Sequence, residues 1–340
     1  MKTFLIIDGN SIANRSFYGI STSRLFVNDE GMYTNAVYGF LATYYMIEDM
    51  IKPDYVAVTF DVSKKTFRNE LYTEYKGTRK GMPDELRPQM NVIKEVLDAM
   101  NITIIEKENY EADDVIGTVS KINEDNDIFT YILTGDKDSY QLISDKTNVI
   151  MPKTTMGKTE YTIYDITKLK EKYNIDPIQV IDIKSLMGDS ADNIIGVPGI
   201  GEKTAYSLIE KYYSLDNIYK NIDVLDATNS VKLKLKDNYD TAHLSYKLAT
   251  IVRDVDINYN LYDCIQKQVN KLKLFNIFKK LKFNKFLSKY NFDEINNFKE
   301  LNDITDLTYI DNLDNKTLNN NISYILNIEN IDYFTNCKGT

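Results

Sequence analysis

The chain has 340 residues, 43% hydrophobic and 27% charged, with a net charge of −9. This is the composition of a globular protein long enough for one large or two smaller domains. No apolar run approaches the roughly 18–20 residues of a membrane span, so no transmembrane helix is expected, and the overall acidity argues at first against a nucleic-acid partner.

The first apolar run, Phe4–Ile7, is too short for a signal-peptide core and is closed by Asp8, so it reads as a β-strand. A helical pattern follows near Asn35–Met50, then a buried strand at Tyr55–Phe60 ended by Asp61. The segment Lys64–Gly81 lacks strong apolar periodicity. It holds six basic residues (Lys64, Lys65, Arg68, Lys76, Arg79, Lys80) against Glu70 and Glu74. Such a run reads equally as a solvated helix face or as a local patch that DNA would feel despite the net charge. We expect an arch-like insertion there rather than core. A helix at Leu86–Met100, a strand at Ile102–Ile105, a helix at Ala112–Asn123 and a strand at Tyr131–Leu133 complete the first half. This βαβα order predicts an α/β fold with a largely parallel sheet covered by helices on both faces.

From Tyr164 to Leu261 strand signals vanish and helices dominate. Asp165 and Asp176 read as helix N-caps, the latter with Pro177 at the first helical position. The turn Gly196-Val197-Pro198-Gly199-Ile200-Gly201 separates two helical stretches, and Thr241–Val252 carries Leu244, Leu248, Ile251 and Val252 at core spacing. His243, the sole histidine, reads as a packing or surface residue, which disfavours a histidine-based nuclease mechanism. Cys264 and Cys337 lie far apart without metal-ligand spacing, which suits a reducing cytoplasm. Twelve of the last fifty residues are asparagine. Ile322–Ile328 is a candidate strand in that tail, and no role is assigned to it.

In an open parallel sheet, functional groups gather at the carboxyl ends of strands. Asp8 and Asp61 each follow a strand, Asp136 and Asp138 follow Tyr131–Leu133, and Glu111-Ala112-Asp113-Asp114 opens a helix. Within Met187–Asn193, Asp189 and Asp192 are three residues apart and can face one point. Singly these acids also read as Asx turns or as charges complementing a helix dipole. Jointly they form a set of nine that cannot all ionise unless a cation neutralises them. With no histidine or cysteine nearby, the all-oxygen donor set favours Mg²⁺ or Mn²⁺ over Zn²⁺.

The stretches FLIIDGN (Phe4–Asn10), Phe60-Asp61, EADD (Glu111–Asp114), TGDKD (Thr134–Asp138), MGDSADN (Met187–Asn193) and GVPGIGEKTA (Gly196–Ala205) resemble, in order and spacing, the 5′ nuclease family. This family includes the amino-terminal 5′→3′ exonuclease domain of bacterial DNA polymerase I, the phage 5′ nucleases and the flap endonucleases. The likeness runs from residue 1 to about 290. The polymerase I branch is nearest, through YKGTR (Tyr75–Arg79) and MPDEL (Met82–Leu86). It implies a PIN-like three-layer α/β core at 1–163 with 64–81 as the arch, a helical DNA-binding part with a helix–turn–helix at 164–290, and a tail at 291–340.

The resemblance implies two metal positions. Asp8, Asp61, Glu111, Asp113 and Asp136 would serve mainly the first, with Asp114 close by; Asp138, Asp189 and Asp192 would serve mainly the second. In such hydrolysis one metal generates hydroxide, while the pair, about 4 Å apart, clamps the attacking and leaving oxygens. Lys76 and Arg79 match the family's basic pair beside the scissile phosphate. Tyr75 reads either as a base-stacking residue or as a packing tyrosine. Gly196, Gly199, Gly201, Lys203 and Thr204 would grip duplex backbone without reading sequence, with K⁺ as a further ligand that the family allows; alone, the same turn reads as an ordinary helix–helix connection.

The expected activity is a metal-dependent 5′→3′ exonuclease or 5′-flap endonuclease acting on DNA at 5′ ends, flaps or nicks, in Okazaki-fragment primer removal and repair. The expected setting is a bacterial or phage-like cytoplasm, with a separate DNA polymerase as a candidate partner and no membrane. A PIN-type ribonuclease shares the sheet and acids but not the helical half. A non-catalytic junction-binding module predicts eroded acids, whereas all nine are filled. The chain holds no polymerase-sized region, so a stand-alone nuclease is the simpler expectation over a fragment acting only in cis.

Overall fold

The computed structural model describes residues 1–20, 26–155, 158–290 and 292. Met1–Phe292 is one compact unit. The tail from Asp293, with the candidate strand Ile322–Ile328 and Cys337, lies outside the described residues.

Six strands form one sheet: β1 (Lys2–Asp8), β2 (Tyr55–Thr59), β3 (Thr103–Ile105), β4 (Ile128–Leu133), β5 (Thr147–Thr155) and β6 (Lys158–Tyr164). Their order is β3-β2-β1-β4-β5-β6, parallel except for the antiparallel β5–β6 pair. Strand β1 is central because both its faces are apolar. Phe4 and Ile6 point into one core cluster, Leu5 and Ile7 into the other, and all four are fully buried. The chain leaves β1 to build β2 and β3 on one side, then returns to build β4 on the other. That reversal opens a crevice at the carboxyl ends of β1 and β4, where ligands bind in open α/β sheets.

The helices of the first half are α1 (Gly9–Gly19), α2 (Asn35–Ile51), α3 (Phe67–Leu71), α4 (Arg87–Ala99) and α5 (Ala112–Asp125). Beyond the sheet come α6 (Ile166–Tyr173), α7 (Gln179–Met187), α8 (Glu202–Tyr212), α9 (Leu215–Lys220), α10 (Asn229–Asp237) and α11 (Tyr239–Ala249), followed by α12 (Lys271–Lys280) and α13 (Asn284–Leu287). The α2 and α4 side of the sheet and the α5 side each bury their own cluster. The second cluster is continuous with the helical half through Val197, Ile200, Ala205, Leu208 and Ile209. Among the described residues no helix is long and apolar enough to cross a membrane.

Several local expectations change. The β5–β6 hairpin escapes the apolar pattern because its outer residues, Lys153–Thr155 and Lys158–Glu160, are exposed. Asp165 does cap α6, accepting the Lys168 N–H at 2.7 Å. Asp176 does not cap α7: that helix starts at Gln179, and the Asp176 N–H donates to the Gln179 side chain at 2.8 Å. Helix α11 ends at Ala249, so the buried Ile251 lies beyond it. The Lys64–Gly81 segment is not simply a surface arch. Arg68 is 2% exposed and Tyr75 4%, both inside the joint between the sheet and the helical half.

Candidate active site

Each acid on the sheet edge is placed by a short backbone device. Asp8 ends β1 and caps α1, accepting the Ser11 N–H at 2.9 Å and the Thr134 hydroxyl at 2.9 Å. Asp61 follows β2 and accepts the Ala112 N–H at 2.8 Å, tying that strand end to the start of α5. Asp136 accepts the Asp138 N–H at 2.9 Å, an Asx-type turn that sends both carboxylates from one strand end. Asp8, Asp61 and Asp136, with Glu111 and Asp113, line a cleft of about 490 Å³ together with Lys76 and Arg79. A second opening of about 390 Å³ shares Ser11 and Asp136 with it and holds Asp138, Lys184 and Asp189.

The helical half adds its acids from a loop that only glycine can close. Gly188 (φ 75°) and Gly196 (φ 67°) pack backbone to backbone, and a Cβ on Gly196 would sit 2.2 Å from the Gly188 nitrogen. Between them Asp189 and Ile194 exchange two backbone hydrogen bonds of 2.8 Å. The loop thereby brings Asp189 and Asp192 to Asp138, one carboxylate oxygen of each lying within 4.8 Å of the others.

Electrostatics divides the acids into two kinds. Burial, aided by Asp61 and Asp136, pushes Asp8 up to about 7 against its hydrogen bonds from Ser11 and Thr134. Burial also raises Asp113 well above the carboxylate range, with Asp8 and Asp136 adding to it. One Asp113 oxygen is shut from solvent with no hydrogen-bond partner in the structure. A buried, unpartnered carboxylate oxygen beside other acids fits a hard divalent cation, and the donors are all oxygen. In the second cluster, Lys184 contacts Asp138 and reaches Asp189 at 2.5 Å. Burial and Asp136 still lift Asp138 to about 7. Asp189, though partly buried, is held below the ordinary range by Lys184 and the Ala191 N–H.

Lys76 and Arg79 both line the cleft. Lys76 lies 2.8 Å from Glu111 and 3.9 Å from Asp192, and Arg79 pairs with Asp192. Burial works against the Lys76 ammonium, but Glu111 and Asp192 outweigh it and raise its pKa.

Three of the singled-out residues sit away from the cleft surface. Asp114 is fully buried and makes a two-pronged pair with Arg68, both contacts 2.7 Å, while accepting the Val252 N–H. It is turned away from the cleft into the joint between the halves, so it is not an accessible metal ligand. Tyr75 packs against Ile181, Ile194, Leu248 and Ala249 with its hydroxyl on Glu111 at 3.2 Å, so its ring offers no open stacking face. Gly196 is buried, and its N–H donates to Ser245 at 3.0 Å, which removes it from any DNA-facing surface. By contrast Gly199 (φ 82°), Gly201 and Lys203 are exposed, with Thr204 half-buried beside them, and α8 starts from Gly201 with no side-chain cap on its first amides. His243 lies against Tyr239, ring centroids 4.1 Å apart and tilted by 33°, as a packing histidine does.

Sequence reasoning missed Lys184, Arg68 and Ser11. Lys184 lies in the last turn of α7, where a lysine ordinarily complements the helix dipole. Its distance of five residues from Asp189 gave no reason to single it out. Ser11 accepts the Gly135 N–H at 2.9 Å and so fixes the turn that carries Asp136.

Comparison with known proteins gives a consistent result. Residues 3–174 match the family model described as 5′-3′ exonuclease, N-terminal resolvase-like domain, and residues 175–272 match 5′-3′ exonuclease, C-terminal SAM fold. DNA polymerase I of Bacillus subtilis is 42% identical over 293 residues, covering 86% of this chain and 32% of that protein. DNA polymerase I of Caldicellulosiruptor bescii is 41% identical over 291 residues, covering 86% and 34%. The chain thus spans about a third of the length of the curated relatives it matches. Among solved structures, the 5′-exonuclease of bacteriophage T5 with bound zinc superposes with a TM-score of 0.58 at 23% identity, over 73% of this chain and 89% of that one. The T5 flap endonuclease in a complex with DNA and metal ions gives 0.58 at 21% identity, over 83% and 100%. These two show that the chain shares their fold.

Proposed function

The chain belongs to the 5′-3′ exonuclease family, and on that premise we propose that it hydrolyses DNA phosphodiester bonds at 5′ ends, nicks and 5′ flaps with two Mg²⁺ ions, Mn²⁺ being able to substitute. The observation that carries this reading is the convergence of eight carboxylates from the sheet edge and the Gly188–Gly196 loop on two adjoining openings. Asp8, Asp61, Glu111, Asp113 and Asp136 would hold the first ion, and Asp138, Asp189 and Asp192 the second. When bound, such ions supply a nucleophilic hydroxide and stabilise charge on the attacking and leaving oxygens.

The remaining chemistry belongs to the chain itself. Lys76 and Arg79 place two positive charges over the cleft, each now resting on Glu111 or Asp192. An entering phosphate offers them a replacement partner, bidentate for the guanidinium and a point contact for the ammonium. Both groups remain protonated throughout and stabilise the added negative charge of the transition state. The uncapped start of α8, with Gly199, Gly201, Lys203 and Thr204, grips duplex backbone, which orients the DNA without reading its bases. Lys234 already donates to the Gly199 carbonyl at 3.1 Å, so K⁺ at this turn would share its oxygen with an ammonium. The role in the cell is removal of replication primers and repair intermediates, with a polymerase supplied by another chain or another domain.

The test is cleavage of a 5′-labelled flap DNA, compared with nicked, RNA-primed and all-RNA versions. Cleavage of the DNA flap in Mg²⁺ and none in EDTA is expected. Equal activity in excess chelator would sink the metal-dependent reading, and preference for the all-RNA substrate would favour a ribonuclease.

A further inference from the structure

We propose that Lys184 is a built-in counter-cation of the second acidic cluster, one that a divalent ion must displace, so that it sets the affinity of the second metal position and makes loading of the two positions sequential. The inference rests on the two-metal reading above and concerns what this chain's own lysine does to it.

The two groups of acids differ in how cations meet them. Asp8, Asp113 and Asp136 have no lysine or arginine among their contacts within the described residues, and Lys76 nearby is engaged by Glu111. Between Asp138 and Asp189, by contrast, the Lys184 ammonium contacts both carboxylates, and all three side chains are largely withdrawn from water, at 13%, 13% and 20% exposure. Those are two of the three acids whose oxygens converge within 4.8 Å. The ammonium therefore occupies donor atoms that a second ion would need. Burial works against its charge, yet the two acids raise its pKa, so it stays protonated through the neutral range.

An ammonium is a single, compact charge on a four-carbon stem, and it can leave without moving the backbone. The Gly188–Gly196 contact directly after its helix, with the Asp189–Ile194 backbone pair, fixes the loop that carries Asp189, so that acid stays in place when the lysine departs. A divalent ion brings twice the charge but must first break two close ion pairs. At the first position only Glu111 has a resident cation, Lys76 at 2.8 Å, and no lysine or arginine among the described residues bridges two of its acids as Lys184 bridges Asp138 and Asp189. Ions should fill the first position at lower concentration, and the second only at higher concentration or when phosphate gives Lys184 another partner.

The test is Mn²⁺ binding to the metal-free chain without DNA, read by calorimetry and by the electron-spin resonance of free Mn²⁺. The wild type is expected to take two ions with distinct affinities. Lys184→Met should tighten the weaker class by about tenfold or more, because a like charge at contact distance is removed, and leave the tighter class within about twofold. Lys184→Arg, which keeps the charge, should bind like the wild type. If Lys184→Met does not fold by circular dichroism, Lys184→Gln serves as the neutral variant. Two ions in the wild type with no tightening in the neutral variant would overturn the role of Lys184 alone. Fewer than two ions in the wild type would overturn the two-metal reading and this inference together.

Discussion

The acids on the sheet edge and those on the helical side answer the same electrostatic problem differently. On the sheet edge, Asp8 and Asp113 have no lysine or arginine in contact among the described residues: burial and their acidic neighbours drive their pKa values up, and one Asp113 oxygen has no hydrogen-bond partner. Around the helical half's loop the acids come with cations: Lys184 for Asp189 and for Asp138, which the sheet edge sends to meet it, and Arg79 for Asp192. Asp114 is the extreme of the second kind, sealed with Arg68 at the joint between the halves. The contrast teaches that a carboxylate's neighbours, not its place in a motif, separate a group poised for a ligand from one already satisfied.

The largest expected effect comes from unmaking the sealed pair. Arg68 also donates to the Leu248 and Thr250 carbonyls at 3.0 and 2.7 Å, so Arg68→Met orphans two acceptors along with Asp114. Loss of about 3–5 kcal/mol in urea unfolding is expected, since breaking a buried pair leaves an uncompensated charge. Arg68→Met combined with Asp114→Leu should recover part of it. If the single variant is as stable as the wild type, the pair is not what joins the halves.

A bare acid should behave in the opposite way, with little cost to stability and a large cost to function. Asp136→Asn is expected to lower flap cleavage by about 10²–10³-fold while duplex binding by fluorescence anisotropy stays near wild type. Wild-type turnover in this variant would remove Asp136 from the site.

The smallest effect separates bareness from metal binding. Asp182 in α7 is a buried acid outside the cleft that accepts the Leu215 N–H at 2.9 Å. Burial lifts it to about 6, with Asp216 adding and the Leu215 hydrogen bond opposing. A carboxyl whose folded pKa is raised contributes stability below its unfolded pKa and loses it as pH rises through the folded value, here between about 4 and 6. Asp182→Asn avoids that loss, so its stability relative to wild type should improve from pH 5 to pH 8 by on the order of 1 kcal/mol. The improvement should be the same with and without Mg²⁺. A change confined to the metal-loaded protein would place Asp182 in the metal-linked set.

The amino-acid sequence by itself determined the sheet and most of its chemistry. Short apolar runs such as Phe4–Ile7 read as buried strands, and an aspartate at or just beyond the end of such a run emerges at the strand end, so Asp8, Asp61 and, through the turn Thr134-Gly135, Asp136 and Asp138 were legible from order alone. The motif in Met187–Asn193 likewise announced its two acids. Tertiary structure alone decided which charges face one another. Arg68 and Asp114 are 46 positions apart, Lys184 and Asp138 also 46, and no local periodicity links them. The same basic run therefore supplies a buried strut at Arg68 and cleft-facing cations at Lys76 and Arg79. Asp113 and Asp114, adjacent in the chain, point to opposite fates because a single residue step along a helix turns the side chain by about 100° toward different neighbours.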